Sequence, residues 1–160
     1  MSLHTFAPEE EHITELRRQL QRFVAQKMPR ALRRECDQNH TWPREIFKEL
    51  ADMGLIGLTV EEKHGGSGQD LVASVAVIEE LAQVGPFLAG PYIHAAFYGG
   101  MNLSENGSEA QKEALLPKIV NGELLLSYGL SEPNVGGDLA SVETRAEKKA
   151  GKIVVNGTKR

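Results

Sequence analysis

The feature that most constrains the fold is a change of hydrophobic periodicity near Gly122. Before this point apolar residues recur every three or four positions, and the run "ITELRRQLQRFV" places Ile13, Leu16 and Leu20 on one helix face. After it, "LLLSYGL" and "KIVVNGTKR" are strand-like, "SVETRAEK" alternates, and "KKAGK" and "NG" are turn signals. The pattern predicts a mostly α protein with a helical domain in residues 1–122 and the start of an antiparallel β domain in residues 123–160.

Capping residues predict where several helices begin and end. Asp70 is a good N-cap for "LVASVAVIEELA", which is apolar nearly all round until Glu79 and Glu80 and is therefore expected to be buried in a bundle. Ser108 with Gln111 three residues later forms a capping box. Three prolines give further boundaries: Pro8 at the start of the first helix, Pro29 bending or ending it, and Pro117 as a kink or stop.

Composition excludes several classes of function. The 160 residues carry a formal net charge of -4, and the basic run "RRQLQR" lies beside acidic residues, so it is read as a solvated helix face rather than a nucleic-acid surface. Cys36 is the single cysteine, which fits a reducing compartment and leaves too few thiolates for a zinc site. We find no apolar run of signal-peptide or membrane-span length, and we expect a cytoplasmic protein without a metal.

The stretch "LSEPNVGGD" is the best candidate for a ligand-binding loop. Gly136 and Gly137 allow positive φ and leave backbone N–H groups unshielded, which is the arrangement that cradles a phosphate or pyrophosphate. Ser131 adds a hydroxyl at the end of the preceding strand-like run. A plain glycine turn capped by Asp138 remains an alternative interpretation.

The same stretch resembles the flavin-binding signature of the acyl-CoA dehydrogenases, which usually reads hydroxyl-Glu-Pro, a short spacer and Gly-Ser-Asp. Four further segments are similar to that family in the same order, so the resemblance covers nearly the whole chain. They are "FKELADMGLIGLTVEEKHGGSG", "VIEELAQVG", "GSEAQKEALLPKIVNGE" and "KIVVNGTKR".

The resemblance implies an N-terminal helical bundle of the acyl-CoA dehydrogenase type, followed by a middle β domain and a C-terminal helical bundle. It also implies an FAD-dependent oxidoreductase of fatty acid metabolism, which oxidises the Cα–Cβ bond of an acyl-CoA thioester. A glutamate of the C-terminal bundle would remove the α proton, so the catalytic base is expected beyond Arg160 and this portion is expected to be inactive. The implied partners are an acyl-CoA substrate, an electron-transfer flavoprotein and, for a complete enzyme, further copies of the same chain.

By the same resemblance, individual residues receive roles. Tyr128, Leu130 and Ser131 would meet the edge of the flavin ring, and Gly136 and Gly137 would lie near the pyrophosphate. The segment from Pro86 to Gly100 would line the acyl tail. The substrate contacts implied are Gly137, Phe87 and Tyr92.

The sequence departs from the family pattern at three positions. Gly137 stands where a serine is common, His64 where a tyrosine is usual, and Ser131 where threonine is frequent. Glu132, next to Pro133 in a tight loop, is expected to be a structural carboxylate and not the base. Two other functions stay open: a dehydrogenase-like flavin hydroxylase, and a short non-catalytic helical module that binds a longer paralogue.

Overall fold

A computed structural model describes residues 9–160, which form two compact units. The first unit ends at Leu126 and is helical, and the second runs from Ser127 to Arg160 and contains a two-stranded antiparallel sheet. The mostly α fold class is thereby confirmed, whereas the domain boundary at Gly122 stays a prediction. Pro8, expected at the first helix start, lies outside the described residues.

The helices of the first unit begin and end close to the positions that the capping signals indicate. Asp70 accepts a hydrogen bond from the Ala73 N–H at 2.8 Å, and Ser108 with Gln111 forms the predicted capping box. The α-helices are α1 (Glu11–Lys27), α2 (Arg30–Asn39), α3 (Arg44–Asp52), α4 (Leu71–Ala82), α5 (Pro86–Ile93), α6 (Asn102–Asn106) and α7 (Glu109–Val120). A π-helical segment, His94–Met101, joins α5 to α6, and short 3₁₀ turns cover Ile56–Thr59, Glu62–His64 and Leu139–Ser141.

One hydrophobic core holds the first unit together. Its largest fully buried side chains include Phe47 of α3, Tyr92 of α5 and Ile119 of α7. Helix α1 lies against α4, where Ile13 packs with Ala73 and Ala76 in a smaller cluster. Small side chains on α4 let the two helices approach closely, so the apolar stripe predicted on α1 is buried.

The structure corrects the reading of the basic run in α1. Arg17 is not part of a solvated face, because its side chain is 24% exposed and its Nη1 lies 3.1 Å from Oε1 of the buried Glu80. It also pairs with Glu79 and with Glu9. The sequence pattern missed this because Arg17 and the two glutamates are far apart in the chain.

Three further helix predictions differ from the structure. Helix α2 was not foreseen, although Pro29 does separate it from α1. Pro117 lies inside α7, which continues to Val120, so the stop predicted at this proline is wrong, while the predicted kink stays a prediction. Helix α4 is not buried all round, since Leu71, Val72 and Val75 are exposed among the described residues.

The segment after α4 forms a continuous helical run with an irregular centre. Pro91 removes one backbone donor from α5, and the chain then widens into the π-helical turns of His94–Met101. Thr59 donates its hydroxyl to the Ala96 carbonyl at 2.5 Å within this region. The proline and glycine residues of this run thus make the helix irregular without ending it.

The second unit contains strands β1 (Arg145–Lys149) and β2 (Lys152–Asn156), paired antiparallel with Lys149 opposite Lys152. Ala150 and Gly151 both have positive φ, as a two-residue hairpin turn requires, so the predicted turn in "KKAGK" is confirmed. The expected strand in "LLLSYGL" is wrong. Leu124, Leu125 and Leu126 of this run pack against the helical core, and the described residues supply no neighbouring strand to pair with it.

Candidate functional site

The "LSEPNVGGD" loop in the second unit is closed by a tight backbone pairing. Glu132 N–H donates to the Val135 carbonyl at 2.9 Å, and Val135 N–H donates back to the Glu132 carbonyl at 3.1 Å. Pro133 and Asn134 form the exposed corner between them, while Glu132 and Val135 are buried. The loop therefore has a defined shape of its own.

The carboxylate of Glu132 anchors this loop to the neighbouring chain. It accepts hydrogen bonds from Thr144 Oγ1 at 2.5 Å, from Glu143 N–H at 2.8 Å and from Thr144 N–H at 3.0 Å. Lys159 Nζ adds a charged donor at 3.0 Å. The Thr144 hydroxyl, the Glu143 amide and the Lys159 ammonium together lower the pKa of Glu132 to about 2. A carboxylate with so low a pKa is a weak base, which agrees with a structural role.

The last residues of the chain run beside the loop. Lys159 Nζ donates to the Leu130 carbonyl at 2.9 Å, and Arg160 N–H donates to the Ser131 carbonyl at 2.9 Å. The carbonyls of Leu130 and Ser131 are thus both occupied by hydrogen bonds. The sequence reading placed Lys159 only in a turn-containing segment and gave it no role, because the contact spans 29 residues.

The two adjacent glycines are open but not left-handed. Neither Gly136 nor Gly137 is among the glycines with positive φ, contrary to the conformation that the sequence suggested. A Cβ at either position would meet no atom within 4 Å, and within residues 9–160 their N–H groups have no acceptor. What these glycines offer a ligand is therefore their unshielded backbone N–H groups, and not a positive-φ turn.

The predicted flavin contacts lie together in this unit. Ser131 is exposed, and its N–H and hydroxyl have no partner in the described part of the chain. Leu130 is half-buried and Tyr128 is 46% exposed. Asp138 follows the glycines and accepts a hydrogen bond from the Ser141 hydroxyl at 2.5 Å, so it stabilises the next turn.

The predicted substrate residues belong to different units. Phe87 is half-buried on α5, and Gly137 belongs to the second unit. Tyr92 is fully buried and donates its hydroxyl to the Leu55 carbonyl at 3.1 Å. Burial raises the pKa of Tyr92 far above its usual range, so its phenol stays neutral. These substrate roles stay predictions.

An apolar cleft of about 330 Å³ lies in the first unit. The imidazole Nδ1 of His94 lies 3.1 Å from the Leu126 carbonyl, which can only accept, so Nδ1 carries a proton. One wall comes from the segment Pro86 to Gly100 that was expected to line an acyl tail, but the sequence gave no sign of the other two walls, because they come from separate segments. The lining residues are Trp42, Gly90, Pro91, His94, Leu125 and Leu126.

Two other kinds of functional feature are absent from the described residues. In residues 9–160, no group of three or more histidine, cysteine, aspartate or glutamate side chains is placed to hold a metal ion. None of the helices in that range combines the length and the apolar character needed to cross a membrane.

Comparison with known proteins adds a match that covers most of the chain. Residues 9–123 match the family model described as "Acyl-CoA dehydrogenase, N-terminal domain". The chain belongs to the acyl-CoA dehydrogenase family. The resemblance inferred from the five sequence segments is thereby confirmed.

Curated relatives extend this acyl-CoA dehydrogenase match into the second unit. The mitochondrial isovaleryl-CoA dehydrogenase of Bos taurus is 34% identical over 148 residues, which is 91% of this chain and 34% of that protein. The short-chain-specific acyl-CoA dehydrogenase of Clostridium acetobutylicum is 31% identical over 149 residues, or 91% of this chain and 38% of that protein. The chain therefore spans little more than a third of the length of these relatives.

Solved structures agree in fold. An acyl-CoA dehydrogenase from Geobacillus kaustophilus superposes with a TM-score of 0.84 at 31% identity, over 97% of this chain and 40% of that one. An acyl-CoA dehydrogenase from Bacillus anthracis, solved in complex with FAD, gives a TM-score of 0.80 at 29% identity, over 96% and 27%. The architecture of both units is thus that of the family.

Proposed function

We propose that these residues form the N-terminal helical domain and the start of the middle β domain of an FAD-dependent acyl-CoA dehydrogenase. The single observation that carries the proposal is the loop after Tyr128, which presents unpartnered donors on an exposed surface. The family match and the relatives named for acyl-CoA oxidation support the substrate class.

The donors in the loop fit the two polar parts of FAD. The Ser131 N–H and hydroxyl suit the carbonyl and nitrogen acceptors along the edge of an isoalloxazine ring. The unshielded N–H groups of Gly136 and Gly137 suit the anionic pyrophosphate. When bound, the flavin would supply the acceptor for the hydride that leaves the β carbon of the substrate.

We also propose that the 160 residues alone do not catalyse the reaction. Among residues 9–160 the buried carboxylates are Glu80 and Glu132, and both are engaged by cationic or amide donors. A base that removes a weakly acidic α proton needs an available carboxylate in a desolvated site. Catalysis therefore requires a carboxylate from outside this range, in line with the C-terminal glutamate that the family resemblance implies.

The acyl chain would contact the segment from Pro86 to Gly100. Gly90, Pro91 and His94 of this segment form one wall of the apolar cleft beside Trp42, which supports an apolar ligand there. Gly137, Phe87 and Tyr92 remain the proposed substrate contacts. An electron-transfer flavoprotein and further copies of the chain remain the proposed protein partners, and the cytoplasm the proposed location.

The test is to titrate the ¹⁵N-labelled chain with FAD and, separately, with two parts of FAD. Binding is measured from the amide chemical shifts. Riboflavin is expected to shift the amides of residues 128–131, ADP those of residues 136–138, and FAD both sets. We expect weak but saturable binding, because the chain spans 34% of the bovine relative and the complete protein would supply further contacts.

Two controls make this titration decisive. Gly137→Val adds bulk where no atom lies within 4 Å, so it should leave the fold intact while weakening the response to ADP and FAD. Gly151→Asn changes the hairpin turn, far along the chain from the loop, and should leave the titration unchanged. Millimolar FAD that shifts none of residues 128–138 would contradict the proposal.

A further inference from the structure

We propose that Lys159 is a positioning residue for the flavin-binding loop, because it holds the Leu130 carbonyl and thereby sets the direction of the Ser131 N–H. This inference rests on the proposed function, since it concerns how the same loop presents its donors. Lys159 itself would not touch the flavin.

The Lys159 ammonium bridges the backbone of the loop and a buried carboxylate. Its Nζ lies 2.9 Å from the Leu130 carbonyl oxygen and 3.0 Å from Glu132 Oε1. The Lys159 side chain is 32% exposed, whereas that of Glu132 is 6% exposed. Glu132 is fixed in turn by the amides of Glu143 and Thr144, so the ammonium has a rigid anchor on one side.

The geometry of the peptide unit transmits this contact to Ser131. The Leu130–Ser131 peptide is trans and planar, so its carbonyl and its N–H point in opposite directions. Because the Leu130 carbonyl faces Lys159, the Ser131 N–H faces the other side of the loop. That N–H has no acceptor within the described chain, which leaves it available to a ligand.

The next peptide unit is fixed as well, but by backbone alone. Arg160 N–H donates to the Ser131 carbonyl, and the Glu132 N–H of the same unit donates to the Val135 carbonyl, each at 2.9 Å. Ser131 is therefore held between two oriented peptide units. Only the Leu130 side depends on a side chain, so a substitution at Lys159 tests it directly.

The experiment compares three variants: Lys159→Met, Lys159→Arg and Lys152→Met. Lys152 is an exposed lysine of β2 with no ion pair among residues 9–160, so Lys152→Met removes the same charge from a different place. In Lys159→Met we expect amide hydrogen exchange at Glu132 and Arg160 to become about tenfold faster. The dissociation constant for FAD, from the amide shift of Ser131, should rise about tenfold. Lys159→Arg should stay within about threefold and Lys152→Met within about twofold of the unsubstituted chain.

The readouts separate this proposal from the function on which it rests. Lys159→Met that binds FAD as tightly as Lys152→Met overturns the positioning role, whatever its exchange rates. If the unsubstituted chain shows no FAD-dependent shift at Ser131, the proposed function fails instead. The exchange comparison still decides about Lys159 in that case, because unchanged rates at Glu132 and Arg160 show that it does not hold the loop.

Discussion

Arg17 of α1 and Glu80 of α4 form a partly buried ion pair that joins two helices 63 residues apart in the chain. Glu80 is 7% exposed and also accepts from Gln21 Nε2 at 3.0 Å. The pair belongs to the same α1–α4 interface as the small cluster of Ile13, Ala73 and Ala76. Apolar contacts have no preferred direction, so the ion pair helps to fix the register of α1 against α4.

Arg17→Met should destabilise the first unit by about 2 kcal/mol, because it leaves the buried Glu80 carboxylate without its cation. The measurement is urea unfolding followed by circular dichroism. Arg18→Met is the matched control, since Arg18 is 63% exposed and its ion pair within residues 9–160 is with Glu15 at 3.7 Å, and it should cost less than about 0.5 kcal/mol. Equal losses in the two variants would show that the Arg17–Glu80 pair contributes nothing specific.

The second unit should lose stability in acid because of Glu132. Its pKa is lowered from 4.5 to about 2 in the folded chain, so the stabilisation from its ionised form is present above pH 4.5 and is lost as the pH falls towards 2. The amide shifts of Glu143 and Thr144, which donate to this carboxylate, should titrate with a midpoint near 2. Glu132→Gln should abolish that titration, and a midpoint near 4.5 in the original chain would refute the assignment.

Gly157 is expected to tolerate no side chain. A Cβ there would lie 2.1 Å from Thr144 Oγ1 and 2.7 Å from Thr144 Cβ, and this hydroxyl already donates to Glu132. Gly157→Ala should therefore destabilise the second unit by about 1–3 kcal/mol, measured by amide exchange in β1 and β2. Gly136→Ala, where no atom lies within 4 Å, should leave exchange unchanged.

His64 is 8% exposed, and its Nε2 is buried without a hydrogen-bond partner in residues 9–160. Replacing an unsatisfied buried polar group by an apolar group of similar shape is nearly neutral or stabilising. His64→Phe should therefore leave the free energy of unfolding unchanged or raise it by up to about 1 kcal/mol. Urea unfolding measures this. A loss larger than about 1 kcal/mol would show that the imidazole has a partner, such as a bound water.

Trp42 is the single tryptophan of the chain and lines the apolar cleft, so its fluorescence reports on that cleft directly. Octanoyl-CoA should shift the Trp42 emission to shorter wavelength, because the acyl chain displaces water from the indole. Free CoA is the control and should leave the emission unchanged. An equal response to both compounds would place the ligand elsewhere.

The candidate loop could be proposed from the sequence because its residues are contiguous. Ser131, Gly136 and Gly137 lie in one nine-residue loop, and the structure leaves them exposed in that loop. Lys159 and the Trp42 cleft were not predictable, because their partners are distant in sequence. No local pattern states which carbonyl a lysine 29 residues away will meet.

The sequence by itself determined helices α1, α4 and α7, the N-caps of α4 and α7 and the hairpin turn, since these depend on side-chain periodicity and on local hydrogen bonds such as those of Asp70 and Ser108. Only the tertiary structure decided that Leu124, Leu125 and Leu126 of the "LLLSYGL" run pack against the helical core instead of pairing as part of a strand, because pairing needs a neighbour that local preference cannot supply. Tertiary contacts likewise decided that Arg17 joins α1 to α4 through an ion pair and that Glu132 is held in its ionised form. Both outcomes depend on which donors the fold brings within hydrogen-bonding distance.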